Sequence, residues 1–225
     1  MPPDALTVHN RLLEFYGYPA WRNPLPPLDE LVCTILSQNT NDVNRDKAFE
    51  RLKALYPSWE AVRDAPQDEI IAAVRIAGLA NQKGPRIQNV LRTISTERGS
   101  LNLDFLKDWP PQQVQAWLTR FPGVGPKTAA IVMCFSLDMP AFPVDTHIYR
   151  ISGRLGLRPE RLSVEAAHDH LGALFPPETC YPAHLNLIRL GREICKARRP
   201  ACGRCPLRSL CPSAARFEEK ETSHD

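Results

Sequence analysis

Apolar residues recur along most of the chain at intervals of three and four, the spacing of one buried helix face. Between Gly84 and Thr96, for example, Ile87, Val90, Leu91 and Ile94 follow this spacing. The sequence contains no sustained alternation of apolar and polar residues, which would indicate strands. Further helices are predicted over residues 28–36, 42–55, 59–63, 66–74, 111–120, 126–138, 163–175 and 183–194. The pattern therefore predicts an all-α protein.

Capping residues mark several of the predicted helix starts. Ser58 precedes the helix that begins at Trp59, and Asp145 precedes a helix that begins at Thr146. On the helix 42–55, the residues expected on one buried face are Val43, Ala48, Leu52 and Leu55.

A glycine-containing turn joins the helices 111–120 and 126–138. It lies in Phe-Pro-Gly-Val-Gly-Pro-Lys-Thr, residues 121–128, and its two glycines allow a positive φ and a close approach of main-chain N–H groups. The amides at the following helix N-terminus would face a phosphate. Such a helix–hairpin–helix contacts a nucleic-acid backbone without reading bases. The candidate contacts are Gly123, Val124, Gly125 and Thr128.

Lys127 and Asp145 are candidates for a nucleophile and its carboxylate partner. A helix from Pro126 to Asp138 spans about 18 Å at ~1.5 Å per residue. The segment 139–144 contains two prolines and must run extended, covering about 20 Å at ~3.3 Å per residue. The chain can therefore return along the helix, so we expect Asp145 to lie near the level of Lys127.

Length and charge narrow the class of protein. The 225 residues suit one large domain or two small lobes, and a net charge of +3 is too small to establish a polyanionic partner by itself. The sequence contains no run of about 18 apolar residues, so we expect no membrane span. The N-terminal sequence lacks the basic and apolar regions of a signal peptide, so we expect a cytoplasmic protein.

Four of the seven cysteines crowd into seventeen residues near the C-terminus: Cys195, Cys202, Cys205 and Cys211. An odd total without a secretion signal argues against a disulfide framework. Four thiolates at these spacings can hold zinc or an iron–sulfur cluster, and the spacing alone leaves both open. The other cysteines, Cys33, Cys134 and Cys180, have apolar surroundings that predict core positions.

A basic segment accompanies the cysteines. Lys196, Arg198 and Arg199 all fall in the six-residue gap between Cys195 and Cys202. Together with the hairpin, this loop predicts a second phosphate contact on the same duplex.

Taken together, these motifs resemble those of the endonuclease III family of DNA glycosylases, in the helix–hairpin–helix superfamily. The matching segments occur in this order: Leu-Ser-Gln-Asn-Thr-Asn-Asp (36–42), Gly78-Leu79, Phe-Pro-Gly-Val-Gly-Pro-Lys-Thr-Ala (121–129), Val-Asp-Thr-His-Ile-Tyr-Arg (144–150) and the four spaced cysteines. The resemblance implies a [4Fe–4S] cluster on those cysteines. It implies two helical lobes with a DNA-binding groove between them: a six-helix barrel over 20–139, and an iron–sulfur domain over 1–19 and 140–225.

The resemblance also implies an activity and further site residues. Lys127 and Asp145 match the catalytic pair of the family, so we expect a bifunctional glycosylase and abasic-site lyase. It would remove oxidised pyrimidines and cleave the strand by β-elimination through a lysine Schiff base. Asn39 stands where the family has a glutamine that fills the duplex, and Gln38 lies one residue earlier. The other matching positions are Leu79, a second wedge, and His147, near the base pocket.

We expect a monomer, located with the nucleoid, that binds double-stranded DNA containing damaged bases or abasic sites. The same chemistry on pyrimidine dimers, or on mismatched thymine or uracil, is one alternative. A non-catalytic DNA-binding scaffold is another, and a zinc-stabilised protein-interaction module is a third.

Overall fold

The computed structural model describes residues 3–19 and 24–217 of the chain. Within these residues every regular element is helical, so the all-α prediction is confirmed. The α-helices, numbered α1 to α11 in chain order, are Ala5–Tyr16, Pro27–Ser37, Asp42–Leu55, Trp59–Asp64, Gln67–Ala73, Ala80–Arg98, Pro111–Thr119, Pro126–Ser136, Thr146–Leu155, Val164–Leu174 and Pro177–Glu193. Short 3₁₀ turns lie at Arg75–Ala77, Asp104–Asp108, Cys202–Arg204 and Arg208–Leu210.

Side-chain caps fix the starts of five helices. Asp4, Asn41, Ser58, Asp145 and Ser163 each accept a hydrogen bond from a first-turn backbone amide. Each cap pairs an amide that has no partner inside its helix. The predicted caps at Ser58 and Asp145 are confirmed.

The described residues divide into two compact units, one of which is Pro24–Asp138. Its centre is α2, where nine of the eleven residues are buried and which packs against α3, α6 and α8. α6 also packs against α4 and α5, and α7 packs against α8. This arrangement brings the C-terminal end of α2, the start of α6 and the turn between α7 and α8 into one unit.

The second unit consists of residues 3–19 and 139–217. Here α11 is central and packs against α1 and α9. Asn186 of α11 donates a hydrogen bond from Nδ2 to the Gly17 carbonyl at 3.2 Å, which fixes the end of α1. Cys180, also on α11, is fully buried, and the predicted core positions of Cys33 and Cys134 are confirmed as well.

The predicted buried face of α3 is wrong at two positions. Val43 is 62% exposed and Leu55 is 55% exposed, whereas Ala48 and Leu52 are buried beside Arg45. Val43 points about 140° away from Ala48 around a helix of 3.6 residues per turn. Leu55 lies on the same side of α3 as Ala48 and Leu52, but it is the last residue of the helix and is therefore exposed.

Two helices begin earlier than the sequence predicts. α6 begins at Ala80 instead of Gly84, and α11 begins at Pro177 instead of Ala183. Each contains an internal proline, Pro85 or Pro182, near its N-terminal end. Proline there removes only one intrahelical hydrogen bond, so the helix continues across it.

Among the described residues, none of the helices has the length and apolarity needed to cross a membrane.

Candidate active site and metal centre

The turn between α7 and α8 is built around Phe121 and Gly123. Phe121 is buried, and its ring packs edge to face against Trp117 with centroids 4.9 Å apart. Gly123 has φ +81°, and a Cβ added there would overlap the guanidinium of Arg86. Both the backbone and its neighbour therefore require glycine at position 123.

Gly125 has a different role from the one the sequence predicts. Its φ is −89° and its ψ 178°, an extended conformation open to any residue, so the expectation of two positive-φ glycines is wrong. A Cβ at Gly125 would meet no atom within 4 Å. Gly125 is the N-cap of α8 and provides no side-chain hydrogen bond to the amides at the start of that helix.

Lys127 lies in the first turn of α8 and is exposed. The side chains of Val124 and Thr128 are buried, and the Val124 amide donates to the Phe121 carbonyl at 2.9 Å. A ligand at this turn would therefore meet the lysine side chain and the first main-chain amides of α8.

Asp145 is half-buried at the start of α9, in the second unit. Its Oδ1 accepts a hydrogen bond from the Ile148 amide at 2.7 Å. The cap fixes the carboxylate relative to α9. The partnership of Asp145 with Lys127 stays a prediction.

Two buried histidines hold the extended segment that leads to Asp145. His168 Nδ1 lies 3.1 Å from the Val144 amide and 3.2 Å from the Phe142 carbonyl, so either tautomer finds a backbone partner. His184 Nδ1 donates to the Pro143 carbonyl at 2.9 Å. These contacts anchor the backbone immediately before the carboxylate, and the sequence analysis missed them.

The two candidate wedge residues share an unusual backbone conformation. Asn39 has φ 52° and Leu79 has φ 49°, and both are exposed. Asparagine tolerates this left-handed region, but for leucine it costs about 1–2 kcal/mol. A strained, exposed apolar residue supports a functional hypothesis for the loop that carries it.

Gln38 is held by hydrogen bonds at both ends of its amide. Arg86 donates from Nη1 to Gln38 Oε1 at 2.7 Å, and Gln38 Nε2 donates to the Gly123 carbonyl at 2.9 Å. Gln38 therefore braces the hairpin turn, and entry of Gln38 or Asn39 into a duplex stays a prediction. Arg86 was missed because its sequence context resembles that of an ordinary solvated helix residue.

Arginines of α9 hold the loop that follows α11. Arg150 donates from Nε and Nη2 to the Cys195 carbonyl at 3.1 and 2.8 Å. Arg154 donates to the carbonyls of Lys196 and Ala197 at 2.8 and 2.9 Å. Because these carbonyls are turned toward α9, the loop backbone is fixed on the same helix that Asp145 caps.

His147 lies on α9, about one turn before Arg150, and packs against α11 at Gly191. A Cβ at Gly191 would come within 2.7 Å of His147 Nδ1, so only glycine permits this approach. Arg150 Nη2 lies 3.1 Å from the same nitrogen, which therefore accepts the hydrogen bond. Placement of His147 near a base pocket stays a prediction.

Three side chains of the loop that follows α11 are predicted to contact phosphate. Lys196, Arg198 and Arg199 are all exposed, and Arg199 has φ 49°. Their contact with a nucleic acid stays a prediction.

Cys195, Cys202, Cys205 and Cys211 line one common pocket. Burial, with a smaller contribution from the other three cysteines, raises the pKa of Cys205 to about 11. Arg154 Nη1 donates a hydrogen bond to Cys195 Sγ at 3.2 Å. Iron would bind the thiolates and displace their protons, which offsets the cost of burial.

The pocket presents four thiols, which is the ligand set of a [4Fe–4S] cluster. In the described part of the chain, no three His, Cys, Asp or Glu side chains are grouped closely enough for a single metal ion. The sulfurs around one zinc ion lie about 4 Å apart. Four cysteines that line one pocket suit a cluster of several irons, each of which binds a different thiolate.

Comparison with known protein families gives two matches that together cover most of the chain. Residues 32–177 match the HhH-GPD superfamily of base excision DNA repair proteins, and residues 195–211 match the iron–sulfur binding domain of endonuclease III. A [4Fe–4S] cluster is therefore the cofactor of the cysteine segment, as predicted, and zinc is not.

Individual relatives agree with these models. Endonuclease III of Thermotoga maritima is 32% identical over 194 residues, which cover 86% of each chain. A putative DNA glycosylase of Arabidopsis thaliana is 38% identical over 165 residues, or 73% of this chain but only 56% of the plant protein. A solved non-covalent complex of endonuclease III with DNA superimposes with a TM-score of 0.77 at 28% identity, over 95% of this chain and 96% of that one.

The chain therefore belongs to the endonuclease III family of iron–sulfur DNA glycosylases with abasic-site lyase activity, within the HhH-GPD superfamily of base excision DNA repair proteins.

Proposed function

We propose that this protein removes oxidised pyrimidines from duplex DNA and then cleaves the abasic strand through a Schiff base on Lys127. The observation that carries the proposal is the position of Lys127. This exposed amine lies in the first turn of α8, directly after a hairpin turn whose following amides have no side-chain cap. A purely structural lysine needs no such surroundings.

Duplex DNA with damaged bases or abasic sites is the proposed partner, supported by the DNA complex of the related endonuclease III. Amides at the start of α8 would bind a phosphate, because the helix dipole favours an anion there. Lys196, Arg198 and Arg199 would bind a second phosphate of the same duplex.

The target base must leave the stack before its C1′ carbon can be attacked. Asn39 and Leu79 would enter the duplex at the vacated position, which their exposed, left-handed loops support. Asparagine is one methylene shorter than the glutamine of the family, so it would fill less of the gap.

Lys127 supplies the nucleophile in the proposed reaction. Its Nζ forms a bond to C1′ while the bond between C1′ and the base breaks, and the base leaves with a proton. The C1′–O4′ bond then breaks and O4′ takes up a proton from water, which opens the sugar and leaves a protonated imine between Nζ and C1′. Because this imine acidifies the C2′ hydrogen, loss of that proton breaks the C3′–O bond and cuts the strand.

Asp145 would assist through its Oδ2. A carboxylate there can accept the proton that the attacking amine loses, or stabilise the positive charge that develops on the sugar. Oδ1 stays on the Ile148 amide and holds the side chain in place. The cluster, held by the four cysteines, supplies a rigid cross-link to their loop when bound.

The two hairpin glycines should respond differently to alanine. Gly125→Ala should fold normally, because φ −89° is open to alanine and no neighbour lies within 4 Å. It should weaken duplex binding by about tenfold, the scale of one lost hydrogen bond to a charged group. Titration of a labelled abasic-analogue duplex, beside thermal unfolding, measures both effects.

Gly123→Ala is the matched variant for this experiment. It should lower the free energy of unfolding by at least about 1 kcal/mol, since its φ is +81° and Arg86 occupies the space. If Gly125→Ala binds DNA as tightly as the unmodified protein, the amides of α8 do not carry the phosphate contact.

A panel of duplexes, each with one lesion, tests the choice of base. We expect cleavage at oxidised pyrimidines. Cleavage confined to pyrimidine dimers, or to mismatched thymine or uracil, would replace the proposed substrate but keep the chemistry. A protein that binds every duplex and cuts none would be the non-catalytic scaffold.

A further inference from the structure

Lys83 is a lysine buried in the unit Pro24–Asp138. It lies in the second turn of α6, and only 1% of the residue is exposed. Its ammonium donates hydrogen bonds to the Leu36 and Ala77 carbonyls, each at 2.7 Å. Charged residues are seldom buried this deeply unless a specific arrangement requires them.

Both acceptor carbonyls belong to the C-terminal ends of helical segments. Leu36 is the penultimate residue of α2, and Ala77 is the last residue of the 3₁₀ turn Arg75–Ala77. Carbonyls at the C-terminal end of a helix accept no hydrogen bond from an amide of that helix. The negative end of the helix dipole also favours a cation there. Lys83 therefore caps two helix ends with one side chain.

Each capped end leads directly into a candidate wedge. Asn39 follows Leu36 by three residues, Leu79 follows Ala77 by two, and both have a positive φ. The backbone just before each exposed loop therefore accepts a hydrogen bond from the same buried atom, Nζ of Lys83.

A side chain of similar shape without donors would not replace this function. Methionine would fill the space but leave the two carbonyls without the ammonium, and such unpaired buried groups are costly. Burial lowers the pKa of Lys83, and the nearby charge of Arg86 lowers it further.

We propose that Lys83 is a positioning residue that sets the two wedge loops in one arrangement, so that Asn39 and Leu79 enter the duplex together. This inference rests on the proposed function. Lys83 touches neither the damaged base nor the reacting sugar; it acts through the backbone of the two loops.

The experiment compares Lys83→Met with the unmodified protein on two substrates. One is a duplex with a single oxidised pyrimidine, which requires the wedges. The other is a single-stranded abasic oligonucleotide, which requires only Lys127 chemistry. We expect Lys83→Met to slow single-turnover excision from the duplex by about 10- to 100-fold, the scale of a misplaced positioning group. Cleavage of the single strand should stay within about threefold of the unmodified rate, less than a 1 kcal/mol change in barrier height.

A second readout does not depend on catalysis. A duplex with a tetrahydrofuran abasic analogue opposite 2-aminopurine reports wedge insertion through fluorescence. The unmodified protein should change this signal, and Lys83→Met should lose most of the change while still binding the duplex. Equal signals from the two proteins would overturn the proposal, as would equal losses on the duplex and the single strand.

Lys83→Gln covers the case in which Lys83→Met does not fold. Glutamine keeps an N–H donor for a carbonyl and removes the charge, so the fluorescence change should be partly restored. A Lys83→Gln protein with the full unmodified signal and excision rate would overturn the proposal. An unmodified protein that inserts its wedges but cleaves neither substrate would instead refute the proposed function and leave the role of Lys83 standing.

Discussion

Replacing Lys127 by alanine should abolish strand cleavage, with a loss of about 10³-fold or more in the single-turnover rate, the scale seen when a covalent nucleophile is removed. The side chain is exposed in the first turn of α8, so its loss removes no core packing. Alanine is also the best helix former. Thermal stability and duplex binding should therefore stay close to those of the unmodified protein.

Lys47→Ala is the matched control for this prediction. Lys47 is exposed on α3, in the same unit, and has no place in the proposed chemistry. It should cleave at the unmodified rate. A Lys127→Ala protein that still cuts abasic DNA would move the nucleophile elsewhere, and one that unfolds would assign the lysine a structural role.

Asp145→Asn should slow base excision by about 10²- to 10⁴-fold, the usual contribution of a positioned acid or base. Asparagine caps a helix as well as aspartate does, so it can keep the hydrogen bond from the Ile148 amide. The variant removes the charge and leaves the start of α9 intact. Single-turnover kinetics beside thermal unfolding separate these two effects.

Two further variants isolate the cost of the cap. Asp145→Ala loses both charge and cap, so it should be as inactive as Asp145→Asn and also less stable by about 1 kcal/mol. Ser163→Ala removes only the cap of α10, where Ser163 Oγ accepts from the Ala166 amide at 3.1 Å. It should lose similar stability and no activity. An Asp145→Asn protein with full activity would show that this residue is a helix cap and nothing more.

Local signals in the sequence predicted much of the fold. The caps at Ser58 and Asp145 and the apolar face of α6 all lie where short-range pattern places them. The sequence pattern gave the wrong start for two helices, α6 and α11. The predicted starts at Gly84 and Ala183 are wrong, because α6 and α11 begin before Pro85 and Pro182 and continue across these prolines.

The candidate site was less accessible to sequence reasoning, because its supports join distant segments. Gln38, Arg86 and Gly123 form one bridge across 85 residues of chain. No local pattern distinguishes Arg86 from a solvated arginine. Lys83 offered one signal: it lies four residues before Ile87, on the buried face of α6, where an apolar residue is expected.

The central claim, that the Lys127 amine attacks the sugar, is tested most directly by borohydride trapping on abasic duplex DNA. Reduction converts the imine into a stable covalent adduct, and mass spectrometry of the digested complex locates the modified residue. We expect a single DNA remnant on Nζ of Lys127. Efficient cleavage with the remnant on a different amine, or with no adduct at all, would contradict the account.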